Sequence, residues 1–121
     1  MRSISNHARA ALIGLGALGP AAPALAESYD TLELGMMPDR DTCMSKAEYV
    51  LFRYKNSNGG GSVMRANWVV YGWDLQPRNQ DVVIMCPIVN GAIDAFLVVH
   101  SEGTERNRDF TSEEIKWLWA Q

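Results

Sequence analysis

The chain is poor in the residues on which reactive sites are most often built. Its 121 residues include two cysteines, Cys43 and Cys86, and two histidines, His7 and His100. The cysteines are too far apart in sequence for a CxxC redox pair or a zinc knuckle. No apolar run reaches the roughly 20 residues that a membrane-spanning helix needs. The GxxxxGK[ST] order of a phosphate loop is absent, and there is no internal repeat or low-complexity tract. Positive charge is also scarce: 11 Lys plus Arg against 14 Asp plus Glu give a formal charge of -3. That balance argues against nucleic acid as a partner, because phosphates demand a basic face.

What the N-terminus does contain is the three-part order of a secretory signal. Arg2 and Arg9 precede an apolar run from Ala10 to Ala22, and Ala24-Leu25-Ala26 supplies small residues before Glu27. Removal of residues 1–26 is therefore expected, with no integral membrane segment left in the mature chain. Gly14, Gly16, Gly19 and Pro20 interrupt the run, which further disfavours a spanning helix. No Cys at the cut site could carry lipid. Cleavage takes away two arginines and no acid, leaving a formal charge of about -5. The expected location is the periplasm or the medium.

A mature chain of this size makes one domain and hides only about two-thirds of its unfolded surface, so a crosslink would matter. In an oxidising compartment Cys43 and Cys86 are expected to form a structural disulfide. A metal site or a catalytic thiol is the competing reading, and a single mature histidine gives it little support.

Three organisational units follow: a signal peptide over 1–26, an N-terminal arm over 27–40, and a single α+β domain over 41–121. The arm begins with Ser28-Tyr29-Asp30-Thr31-Leu32-Glu33-Leu34, which suits a short strand, before Gly35 and Pro38 break it. Cys43, Ala47, Val50, Leu51 and Tyr54 recur at helical spacing, predicting a helix from about Thr42 to Lys55 with Asp41 as N-cap. Gly59-Gly60-Gly61 then reads as a flexible connection. Three runs of strand type come next: Val63 to Trp73, Val82 to Ile88 and Ile93 to Val99. Asn90-Gly91 is a type I′ hairpin signal that sets Ile88 opposite Ile93, Cys86 opposite Ala95, Ile84 opposite Leu97 and Val82 opposite Val99. Pro87 cannot donate a ladder hydrogen bond, so a bulge or a wider turn is expected beside it. Glu102 to Asp109 reads as a solvated connector. Thr111 with Glu114 and Phe110 then resembles a capping box with a hydrophobic staple, predicting a last helix from about Ser112 to Ala120.

Candidate chemistry is sparse. A triad needs a nucleophile, a histidine and an acid, but His100, Ser101 and Glu102 are chain neighbours that an extended backbone points to opposite faces. Asp39 and Asp41, with Asp30 and Glu33 nearby, lack the oxygen pattern and glycine of a calcium loop, and helix capping explains the acids better. Glu113 and Glu114 are accounted for by the helix start rather than by glycoside cleavage. No cofactor or metal is implied.

Aromatic surface remains. All four tryptophans, Trp68, Trp73, Trp117 and Trp119, lie in the mature part. Trp117 and Trp119 are two apart, about 200° around a helix, so both cannot face inward. Phe52 lies opposite the Cys43, Ala47 and Tyr54 stripe. One sheet face is expected to carry Val69, Tyr71, Trp73, Val83, Met85, Phe96 and Val98. Left uncovered, it would be a large apolar patch of a kind soluble monomers seldom show, so either the termini or another molecule should cover it. The candidate binding surface is therefore Phe52, Tyr71, Trp73, Phe96, Trp117 and Trp119.

The order of signal peptide, Cys43-Met44 on an early helix, the second cysteine in Asp81-Val82-Val83-Ile84-Met85-Cys86-Pro87, a further strand and a final helix resembles small exported bacterial proteins of unknown function. That resemblance implies a helix-on-sheet layout and supplies no catalytic residues. The expected fold is α+β: an N-terminal helix, a three-stranded antiparallel sheet and a C-terminal helix, with both helices on one sheet face and one disulfide. The expected function is a periplasmic or secreted binding module for a protein, a peptide or a saccharide, with self-association as a homodimer also open. The alternative is a small hydrolase using a carboxylate or His100.

Overall fold

Alternation of side chains decides the architecture, and it begins earlier than Asp41. In the computed structural model, which describes residues 28–121, Ser28–Met37 forms β1, the first strand of the sheet. Leu32 and Leu34 point inward while Tyr29, Thr31 and Glu33 point outward, the period of two that a strand imposes. A bulge at Gly35, with φ of 110°, shifts the register so that Met37 returns to the core side. The short strand expected at the start of the arm is thus present and runs on past Gly35 as an edge strand of the sheet, so the domain does not open on a helix.

Helix α1 spans Arg40–Asn58, longer at both ends than its apolar stripe implies. Its N-cap is Asp39, not Asp41: the Asp39 carboxylate accepts from the Thr42 amide at 2.8 Å. These hydrogen bonds hold the Asp39 carboxyl below its ordinary pKa. Strands β2 (Ser62–Arg65), β3 (Val69–Leu75), β4 (Gln80–Met85), β5 (Ile88–Val89) and β6 (Ala92–Ser101) follow, and α2 runs over Glu105–Trp119. The sheet therefore has six strands rather than three, in the order β1-β6-β4-β3-β2, with β5 paired to β6. Each pairing is antiparallel.

Two of the extra strands have local causes. The Val63–Trp73 run folds back on itself, with the Ala66 amide bonded to the Val69 carbonyl at 2.8 Å, and becomes the β2–β3 hairpin. Pro87 interrupts the second run, so β4 ends at Met85 and β5 starts at Ile88. Across that break the register is the one the Asn90-Gly91 turn predicts. Val82 pairs Val99, Ile84 pairs Leu97 and Ile88 pairs Ile93, with Asn90 at φ 52° and Gly91 at φ 82°.

Both helices lie on one face of the sheet. From α1, Cys43, Met44, Ala47, Val50, Leu51 and Tyr54 are buried against Val70, Val82, Ile84, Ala95, Leu97 and Val99. From α2 come Ile115, Leu118 and Trp119. Burying each large aliphatic side chain is worth roughly 1.5–3 kcal/mol, so this layer carries most of the stability. Arg108 of α2 is buried, lies 3.6 Å from the Asp30 carboxylate on β1, and donates to the Gly103 carbonyl at 3.0 Å. Cys43 and Cys86 are disulfide-bonded, with Cα atoms 6.1 Å apart, tying the first turn of α1 to the β4–β5 break. No helix among the described residues is long and apolar enough to cross a membrane.

The other departures lie at glycine and at the second helix. Gly59 to Gly61 is built into the fold rather than loose: the Gln76 amide bonds the Gly59 carbonyl at 3.0 Å and the Gly61 amide bonds Trp73 at 3.1 Å. Helix α2 begins two turns before Ser112, capped by Thr104, whose hydroxyl accepts from the Asn107 amide. Thr111 is not an N-cap. It is fully buried inside the helix, where its hydroxyl meets Gln80 Nε2 at 2.6 Å and the Tyr54 hydroxyl at 2.9 Å.

Candidate functional site

With both helices on one side, the other sheet face is left open. Neither β1 nor α2 lies across it, because β1 extends the sheet at its edge and α2 packs in the helical layer. The sheet register lays the outward side chains in rows across the strands. One row runs Met64, Tyr71, Val83, Val98, Thr31. A second runs Val69, Met85, Phe96, Glu33. The third joins Asp81 to His100 and His100 to Tyr29, with Trp73 at the same end. Most of these side chains shield one another and are half-buried, while Tyr29 at 66%, Met64 at 54% and Trp73 at 38% exposure stand out. Tyr71 and Trp73 stack with ring centroids 5.2 Å apart, and Tyr29 lies 4.6 Å from the His100 ring.

Carboxylates mark both ends of this face. At one end Glu33 stands beside Asp94, whose Oδ1 is buried without a hydrogen-bond partner. Hydrogen bonding to Asp94, and then repulsion from it, raise the Glu33 pKa, so Glu33 keeps its proton longer than an ordinary glutamic acid and can donate to Asp94. At the other end, beside His100, a polar cavity of about 330 Å³ opens between the β3–β4 turn and the end of β6. Asp74, Asp81 and Glu102 line it with Arg78, Asn79, His100 and Ser101. Asp74, Arg78 and Asn79 all adopt left-handed backbone angles there, and the Asp74 amide donates to Asp81 Oδ1 at 3.1 Å. His100 Nε2 is buried and has no hydrogen-bond partner.

The candidate residues divide. Tyr71, Trp73 and Phe96 come together on the open face. Phe52 and Trp117, at 42% and 59% exposure, belong to the helical layer on the opposite side. Trp117 borders a shallow groove on α2 with Arg106, Asp109, Phe110, Glu113 and Glu114. Trp119 is withdrawn from the surface at 6% exposure, packed in the core under the Lys46 ammonium, which is the inward and outward split that their spacing requires. His100 and Ser101 do not cooperate: the Ser101 hydroxyl is buried on the helix side, where it accepts from the Gly103 amide at 2.8 Å. Among the described residues no group of three or more His, Cys, Asp or Glu could hold a metal ion.

Sequence reasoning overlooked Tyr29, Met64, Asp81 and Asp94 as members of this face. The alternation of Tyr29, Thr31 and Glu33 with Leu32 and Leu34 was the available signal for β1, but which strand it pairs is a long-range fact. No family model matches the chain, and neither does any curated protein or solved structure.

Proposed function

We propose that this chain is an exported binding module, periplasmic or secreted after loss of residues 1–26, and that its open sheet face is the recognition surface. The observation that carries the proposal is the segregation of both helices to one side, which leaves Tyr29, Met64, Tyr71, Trp73 and Phe96 on a face no other part of the described chain covers. Apolar surface kept wet forgoes about 25 cal/mol for each Å², a loss that a binding role explains and a purely structural role does not. The disulfide supports this role by holding the helical layer in place without occupying the face.

Tyr71→Lys and Phe96→Lys test the proposal, because each sets a charge in the middle of the face without touching the helix-side core. Sedimentation and partner capture with the mature protein are the measurements. Loss of association or capture in both variants, with unchanged melting, is expected. A monodisperse wild type that captures nothing and is unaffected by either charge would overturn the proposal. The polar cavity favours one second reading, a small hydrolase drawing on His100 and the Asp81 or Glu102 carboxylate. That reading requires turnover of an ester, amide or glycoside that His100→Gln abolishes, whereas a binding module shows none.

A further inference from the structure

The geometry points to a seat for a cationic side chain in the polar cavity at the His100 end, and to a polypeptide segment carrying Lys or Arg among apolar residues as the occupant of the open face. This seat presupposes the recognition surface proposed above and specifies its partner. Three carboxylates, Asp74, Asp81 and Glu102, line the cavity against one guanidinium, that of Arg78. The ion pair found among the described residues joins Arg108 to Asp30, and none of those three carboxylates is in a direct ion pair with a described Lys or Arg. An ammonium or guanidinium entering there meets an excess of carboxylates over the single Arg78 guanidinium in a partly enclosed space, where screening is weaker than on open surface.

The face leading to the cavity has the same sign. Its outward positions include Glu33, Asp81 and Asp94 and no Lys or Arg. A second copy of this chain would set acid against acid, and anionic lipid or nucleic acid would be repelled. A basic, partly apolar peptide matches both the charge and the apolar rows. The aromatic residues add an independent indication. On the helix side and at its rim, aromatic rings are met by the chain's own cations: Arg40 over Trp68 at 4.6 Å, Lys46 over Trp119 at 5.0 Å and Arg53 over Tyr49 at 5.8 Å. Tyr29, Tyr71 and Trp73 on the open face have no such cation from the described chain, although Tyr29 and Trp73 stand at the cavity end with exposed rings. A cation from a partner would gain these faces as well as the carboxylates.

Synthetic peptides that alternate Val with Lys, with citrulline or with Glu provide the probes, and a chitin oligosaccharide serves as the uncharged control. Binding to the mature, disulfide-bonded protein is followed by tryptophan fluorescence and by titration calorimetry. The Lys peptide should bind, weaken as salt rises, and lose about tenfold or more in affinity when citrulline replaces Lys or when Asp81→Asn is introduced. Should Asp81→Asn fail to fold, Glu102→Gln on the exposed rim gives the same readout. Equal binding of the Lys and citrulline peptides, or undiminished binding by both variants, overturns the cation seat while leaving the recognition surface in place. Binding of the oligosaccharide in preference to every peptide does the same. If no probe binds and neither the wild type nor Phe96→Lys captures a partner, the seat and the recognition surface fall together.

Discussion

Tyr54 shows how a residue placed by a simple periodicity acquires a role that periodicity cannot state. Its ring belongs to the apolar stripe of α1, but its hydroxyl donates to the Gln76 carbonyl at 2.6 Å and meets Thr111. Burial, with a smaller contribution from the nearby Glu114 charge and against the Thr111 hydrogen bond, pushes its pKa up to about 12 from the ordinary tyrosine value of 10.0. A raised pKa means that the folded chain holds the proton after the unfolded chain has lost it. Stability is therefore intact below about pH 10 and falls as pH rises through 12. Tyr54→Phe should cost about 1–2 kcal/mol at neutral pH, because the Gln76 carbonyl loses its donor, and should flatten the alkaline fall. Urea midpoints at neutral pH and between the two pKa values measure both effects. Gly60 is a second residue whose role lay outside local pattern. Its φ is 151°, and a Cβ there would stand 2.8 Å from the Leu75 Cα. Gly60→Ala should lower stability by about 1 kcal/mol or more, read as a shift in thermal midpoint, whereas a flexible connector would tolerate it.

At the scale of elements, the sequence was legible wherever a signal was both local and confirmed by alternation. The Asn90-Gly91 turn set the β5–β6 hairpin, and the same apolar pairing carried the register through to Val82 and Val99 despite Pro87. The strand count was not legible, since the turn dividing β2 from β3 contains Ala66-Asn67-Trp68 and has no glycine or proline. Thr111 and Glu114 have capping-box spacing, but the chain already turns helical at Glu105, where Thr104 supplies the cap. A cap motif inside a helix is a coincidence of spacing, and only burial tells the two threonines apart. Thr104→Ala should cost about 1 kcal/mol by exposing first-turn amides. Thr111→Val should cost more, about 1–3 kcal/mol, because the buried Gln80 Nε2 loses a hydrogen-bond acceptor. Chemical unfolding of both variants decides which threonine caps the helix and which holds the core.

For the molecule as a whole, a one-sided fold has a particular weakness: the sheet is sealed on its helix face alone, so the helical layer must not slip. The open face with its acidic ends was only half visible in the sequence, because Tyr71, Trp73 and Phe96 share a strand-period pattern while Tyr29 and the carboxylates join them through pairings of distant segments. The Cys43–Cys86 bond addresses the weakness where α1 starts. It closes a span with a sequence separation of 43 and lies next to the Asp39 cap and the Arg40–Trp68 contact. The chain-entropy model gives such a loop about 4 kcal/mol, against a total of roughly 5–15 kcal/mol for an ordinary domain. Replacing both cysteines with Ala should therefore remove a large share of the stability, a drop of about 4 kcal/mol in the unfolding free energy from denaturant titration. Cys43→Ala alone should lose as much, since either change opens the loop. Melting with and without reductant checks the wild type. If the reduced chain kept its midpoint within experimental scatter, the helical layer would be held by packing alone, and the crosslink would have no part in presenting the face.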